Sequence, residues 1–205
     1  EINPEEESKE ILRRYRGLLR AANNSKSRED RKKIRKAFDL ALDLHSEQRR
    51  KSGEPYIYHP ISVAKVVAGE LGLDTTSIVC ALLHDTVEDT NLTLEKVEEM
   101  FGEKEREIVD GLTKMSDVFE PGTSAQAENF RKMLLTLSSD VRVILIKLAD
   151  RLDNMRTLAH MNPDKQQKIA SETLYMYAPL AHRLGLHAIK SELEDLSLKY
   201  KEAEE

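Results

Sequence analysis

The 205-residue chain has one cysteine, no tryptophan, eight glycines and six prolines. A lone thiol, Cys80, excludes a disulfide framework and a cysteine-rich zinc site. No apolar run approaches the ~20 residues that a membrane-spanning helix needs. Nothing at the start, Glu1-Ile2-Asn3-Pro4, resembles a secretory signal. A basic excess is also missing: 32 Lys and Arg stand against 37 Asp and Glu, a formal charge of −5. That balance argues against DNA, whose partners are usually basic. It leaves room for a small anionic ligand held by a few local cations or a metal. The expectation is a cytoplasmic protein with neither a DNA nor a membrane partner. The first residue, Glu1 rather than Met, leads us to expect a piece of a longer chain.

What is present favours helix. Hydrophobic residues make up 40% of the chain, enough for a packed core, and no stretch alternates apolar and polar residues over the length of a strand. Asn3-Pro4-Glu5-Glu6 reads as a helix start, with a cap, a proline in the first turn and early acids. A second helix is expected from about Arg28 to Arg50, with Ile34, Phe38, Ala41, Leu42 and His45 on one stripe. Tyr56 to Pro60 is expected to be extended or irregular, because a proline disfavours helix at the residue before it. Ile61 to Leu71 then reads as a helix ended by Gly72, and Asp74 caps a nearly all-apolar helix that should be central. Further helices are expected from Thr93 to Phe101, then to about Met115, from Glu128 to Leu137, from Val141 to Met161 and from Asn162 to Gly185. Pro179 should kink or interrupt that last one, and a final helix runs from about Ala188 to Lys201. Ser116 to Ala127 is the one clear loop, and it is expected to gate a pocket. The fold class is therefore all-α, a single domain of roughly ten helices.

Three clusters carry chemistry. His84, Asp85, Glu88 and Asp89 close the most apolar helix, with two pairs spaced four apart. Three carboxylates this close repel one another unless a cation lies between them. A solvated helix end would explain Glu88 and Asp89, but explains poorly a His-Asp pair directly after Ala81-Leu82-Leu83. In the second cluster, Asp150 follows an apolar run and shares a helical face with Asn154 and Thr157. A buried carboxylate must be paired or must bind metal. A salt bridge from Lys147 or Arg151 would satisfy it, whereas the Asn and Thr on its stripe look like groups lining a site. The third cluster, Arg50-Lys51-Ser52 through His59, combines cations, a hydroxyl, a tight turn and an imidazole. It reads either as a helix C-terminus whose cations offset the dipole, or as a contact for an anion beside a metal-facing histidine. His45 fits a packed, hydrogen-bonded core position, Cys80 a small core residue, and His160, His182 and His187 show no partner pattern. Taken together, His59, His84, Asp85 and Asp150 make a nitrogen and oxygen donor set without thiolate. Such a set suits a six-coordinate ion such as Mn²⁺ better than structural zinc.

The order His59, His84-Asp85, Asp150 is similar to that of the HD-domain metal phosphohydrolases. The strings RKSGEPYIYHP (Arg50 to Pro60), LLHDTVEDT (Leu82 to Thr90), VDGLTK (Val109 to Lys114), KLADRLDNMRTL (Lys147 to Leu158) and YAPLAHRLG (Tyr177 to Gly185) resemble the hydrolase domain of Rel/SpoT proteins. Those enzymes govern the alarmones ppGpp and pppGpp in the stringent response. The resemblance runs from about Arg31 to Tyr200. It implies His59, His84, Asp85 and Asp150 as Mn²⁺ ligands, and Glu88 and Asp89 as the acid pair that handles water and leaving group. It also implies Arg50 on the guanine ring and Lys51, Ser52, Asn154 and Thr157 along the nucleotide pocket. Relatives carry His where this chain has Asp153, a departure next to the pocket but not at an implied ligand. The implied activity is Mn²⁺-dependent 3′-pyrophosphate hydrolysis of ppGpp and pppGpp. The alternatives are another HD-type nucleotide phosphohydrolase and a silent regulatory module. Residues from about 177 to 205 resemble the segment leading toward a synthetase domain and regulatory modules, and with no triphosphate motif in the chain, hydrolysis without synthesis is expected.

Overall fold

The computed structural model of the chain describes residues 3–118 and 140–202. The expected helix from Glu128 to Leu137 and most of the expected gating loop lie outside them. The first three residues of that loop, Ser116 to Val118, instead end a helix.

Helices dominate as the composition demands. They are α1 (Pro4–Ala21), α2 (Arg28–Leu44), α3 (Tyr58–Lys65), α4 (Thr75–Leu83), α5 (Thr86–Asp89), α6 (Leu94–Phe101), α7 (Glu103–Val118), α8 (Val141–Arg156), α9 (Pro163–Glu172), α10 (Ala178–Arg183) and α11 (His187–Glu202). No β-strand occurs among the described residues, only an isolated antiparallel bridge between Arg49 and Pro55. The starts are set by side-chain caps that accept from N–H groups the helix cannot satisfy itself. Asn3 accepts from Glu5, Ser27 from Asp30, Asp74 from Ser77, Thr93 from Lys96 and Asn162 from Lys165. Pro179 lies just beyond a π-helical turn at Thr173–Tyr177. That widening absorbs the hydrogen bond that a proline cannot donate.

The contacts form two compact units, Glu1–Arg50 with Glu54–Lys147, and Lys51–Gly53 with Leu148–Glu205. In the first, α2 and α3 both pack on α4, α1 packs on α3, and α4 and α6 pack on α7. Every residue from Ser77 to Leu83 is fully buried, so α4 is the central rod that the sequence suggests. Burying each of its large side chains is worth roughly 1.5–3 kcal/mol. Cys80 sits on that rod, where burial pushes its thiol well up and leaves it a packing residue. Gly111 of α7 is required by close approach, since a Cβ there would stand 2.9 Å from Val143 Cγ2. In the second unit, α9, the π-helical turn and α10 pack against α11.

One ion network in the first unit titrates usefully. Asp140 accepts from the Arg142 guanidinium at 3.0 Å and pairs with Lys104 at 3.2 Å, while Arg142 also reaches Asp74 at 2.9 Å. Burial pushes the Asp140 carboxyl up, but Arg142 and Lys104 outweigh it and hold the pKa at about 2. A carboxyl depressed on folding stabilises above its unfolded pKa, and that stability is lost as pH falls through the folded value. Asp140→Asn is therefore expected to lower unfolding stability by about 1 kcal/mol at pH 7. Denaturant titrations should show that difference shrinking below the ordinary carboxylate pKa of about 3.8 and vanishing below about 2.

Candidate metal centre

The first unit brings three of the four expected ligands to one place. α4 does not run on to Asp89 as the sequence pattern suggests; it stops at Leu83, and α5 is a separate single turn. The break has a local cause. His84 Nδ1 lies 2.6 Å from the Ala81 carbonyl and Thr86 Oγ1 donates to the Leu83 carbonyl at 2.7 Å. Side chains thus take carbonyls that a continuing helix would give to its own N–H groups. His59 also departs from expectation, because it lies inside α3 rather than in extended chain. Pro60 is tolerated there since it falls in the first turn, where an N–H has no intrahelical partner in any case.

His59 and His84 are 3% and 4% exposed, with ring centroids 5.1 Å apart. Asp85 Oδ2 stands 3.0 Å from His84 Nε2 and 4.0 Å from His59 Nε2. A ring nitrogen that binds a carbonyl must carry the proton, so neutral His84 directs a lone pair from Nε2 toward a carboxylate oxygen. Two lone-pair donors this close repel unless a proton or cation lies between them. Donors side by side on an octahedral ion at about 2.1 Å are themselves about 3 Å apart. The donor set therefore fits a divalent cation, with the backbone contact at Nδ1 fixing the tautomer.

The other expected residues fall in two groups. Glu88 and Asp89 are exposed on α5. Partial burial of its carboxylate, then the Asp85 charge, pushes the Asp89 pKa up. Arg50 does not end a helix, because α2 stops at Leu44. It belongs to a bridged turn in which its N–H donates to the Glu54 carbonyl at 2.9 Å and that of Tyr56 to Gln48 at 3.1 Å. The remaining residues belong to the second unit. Asp150 is 8% exposed on α8 and accepts from Asn154 Nδ2 at 3.4 Å. Thr157 Oγ1 donates to the Asp153 carbonyl at 3.0 Å, which leaves its oxygen as an acceptor. Arg151, one of two cations that could neutralise Asp150, lies over the Tyr177 ring and reaches Glu172 at 3.3 Å. Burial works against its charge, but Tyr177, Glu172 and Asp150 together raise its pKa. Asp153 is buried. Ser52 is half-buried and Lys51 exposed, and the Lys165 ammonium beside Lys51 holds its pKa down.

Comparison with known proteins identifies the family. The HD domain family matches residues 37–187. The chain belongs to the HD-domain family. This HD domain is 54% identical over 170 residues to a probable guanosine-3′,5′-bis(diphosphate) 3′-pyrophosphohydrolase of Synechocystis, covering 82% of the chain and 22% of the relative. It is 52% identical over 169 residues to the bifunctional (p)ppGpp synthase/hydrolase SpoT of Escherichia coli, covering 82% and 24%. It thus spans less than a quarter of the length of these curated relatives. A solved structure described as a metazoan ortholog of SpoT that hydrolyses ppGpp is 28% identical, with a TM-score of 0.54 over 83% of this chain and 92% of that one.

Two residues around the candidate centre, Tyr56 and Gln48, escape sequence reasoning, while His45 takes the packed, hydrogen-bonded position expected of it. Tyr56 donates from its hydroxyl to Asp85 Oδ2, and its ring packs on His45 with centroids 4.7 Å apart. Buried His45 shares a hydrogen bond at 2.9 Å with Gln48, which donates to the Asp89 carbonyl at 3.3 Å. Burial lowers the His45 pKa and favours its neutral ring. His45 also lines a cavity of about 340 Å³ whose walls contain none of the predicted site residues. The signal available in the sequence was position alone, since Gln48 and Tyr56 flank the Arg50-Lys51-Ser52 string.

A divalent cation at 100 times its Kd is expected to stabilise this HD domain by about 2.7 kcal/mol. Calorimetry should show the gain reversed by EDTA and absent in Asp85→Asn.

Proposed function

We propose that this HD domain hydrolyses ppGpp and pppGpp at the ribose 3′ position, releasing pyrophosphate and GDP or GTP, with Mn²⁺ as its ion. The observation that carries the reading is the convergence of His59, His84 and Asp85, in a chain 52–54% identical to relatives named for this chemistry. Following the family order, His59, His84, Asp85 and Asp150 serve as ligands. The ion supplies charge stabilisation at phosphoryl oxygens and lowers the pKa of a coordinated water.

The chain's own residues do the rest. Glu88 and Asp89 accept a proton from the attacking water or return one to the ribose 3′-oxygen as it leaves. Arg50 stacks its planar guanidinium on guanine. Lys51 and the adjacent Lys165 attract phosphate, since the repulsion that lowers the Lys51 pKa is relieved by an anion between them. Ser52, Asn154 and Thr157 supply hydrogen bonds to the nucleotide. In the full-length protein a synthetase domain and regulatory modules occupy the length that the relatives have beyond this region, and the setting is the cytoplasm.

The test is one assay of the 205-residue chain with ppGpp and Mn²⁺. Pyrophosphate release is expected, with loss of at least 100-fold on EDTA treatment or in Asp85→Ala, in line with the cost of removing a group acting at the reaction centre. Phosphate release from nucleoside monophosphates in its place would move the assignment to another HD phosphohydrolase. Bound Mn²⁺ without turnover of either would leave a regulatory module.

A further inference from the structure

We propose that Tyr56 is a positioning residue for the cation site, holding Asp85 in the orientation that binds the ion. The inference rests on the reading of Asp85 as a ligand and adds a residue to it.

Asp85 lies at the junction of two helices, with φ −102° and ψ −4° and no side-chain cap to the helix that follows. An aspartate so placed has a choice of side-chain rotamers. The Tyr56 hydroxyl selects one by donating to Oδ2, the same oxygen that faces Nε2 of both His84 and His59. The ring that carries this hydroxyl is fixed in turn. It packs against His45 at 4.7 Å and meets the edge of His59 at 6.0 Å, and its backbone N–H donates to the Gln48 carbonyl at 3.1 Å. His45 is 2% exposed and bonds Gln48, so the support beneath Tyr56 is itself buried and tied.

The same turn has a second attachment. Gln48 Nε2 donates to the carbonyl of Asp89 at 3.3 Å. The segment from Gln48 to Tyr56 therefore holds Asp85 through a side chain and Asp89 through its backbone. A partner that orients a ligating carboxylate typically contributes 10–100-fold in metal affinity, because the carboxylate need not be ordered when the ion binds.

Tyr56→Phe keeps the ring and removes only the hydroxyl. Mn²⁺ titrations of the 205-residue chain, followed by the electron paramagnetic resonance of the free ion, give both affinity and number of sites. The expected result is roughly 10–100-fold weaker binding with the number of sites unchanged. The melting temperature of the metal-free protein should stay close to that of the wild type. A purely structural role would lower the melting temperature or the number of sites and leave the affinity of the folded fraction intact, which overturns the proposal. Equal affinity in the two proteins also overturns it, while leaving the cation site standing. If the wild-type chain itself binds no Mn²⁺, the ligand reading of Asp85 fails, and the role of Tyr56 with it.

Discussion

The structure around the candidate centre depends on one electrostatic constraint: a carboxylate and two imidazole nitrogens are held within a few ångströms at the end of the chain's most apolar helix. Such donors drift apart unless their backbones are fixed. Fixing falls to α4, buried on every side from Ser77 to Leu83, and to α3, which packs against it. His84 and Asp85 follow the last buried leucine directly, so the rigidity of the apolar rod passes to these candidate ligands without an intervening loop. His59 gains the same rigidity because its helix begins one residue earlier.

That arrangement explains which parts of the fold were legible in the sequence. Caps were, because Asn3, Asp74 and Asn162 act on N–H groups two or three residues away, and the result depends on nothing distant. Helix ends governed by longer-range bonds were not. The residues from Ser46 to Arg50 are compatible with helix, and the stop at Leu44 comes from bonds that tie Gln48 and Arg50 to Tyr56 and Glu54. His59 is helical although a proline follows it, because the N–H that Pro60 lacks falls in the first turn, where it has no intrahelical partner in any case.

The site divides in the same way. The order of His59, His84, Asp85 and Asp150 could be read as a pattern, since ligand chemistry restricts the residue types. His84 and Glu88, like Asp85 and Asp89, are four apart in sequence, but the helix breaks after Leu83, so the two pairs are not stripes of one continuous helix. The role of Tyr56 was hidden because an aromatic in a turn, like the histidine His45 on its apolar stripe, looks like a packing residue. Both do pack, and the hydroxyl of one reaches a candidate ligand only because of where the turn folds back. A supporting role of this kind has no composition of its own and becomes visible only as a contact.

Charge is organised locally as well. A chain of net charge −5 repels a polyphosphate at long range, but within salt solution that field fades over about 10 Å. What acts on a bound nucleotide is the set of charges it touches. In the second unit Arg151 is committed to Tyr177 and Glu172, so it is a structural cation and offers little to an anion. Lys51 and Lys165 are different: both are exposed, and the Lys165 ammonium lowers the Lys51 pKa. An anion between them would attract both and offset their mutual repulsion. Asp153 works in the opposite direction, placing a buried carboxyl three residues from Asp150 in the same unit.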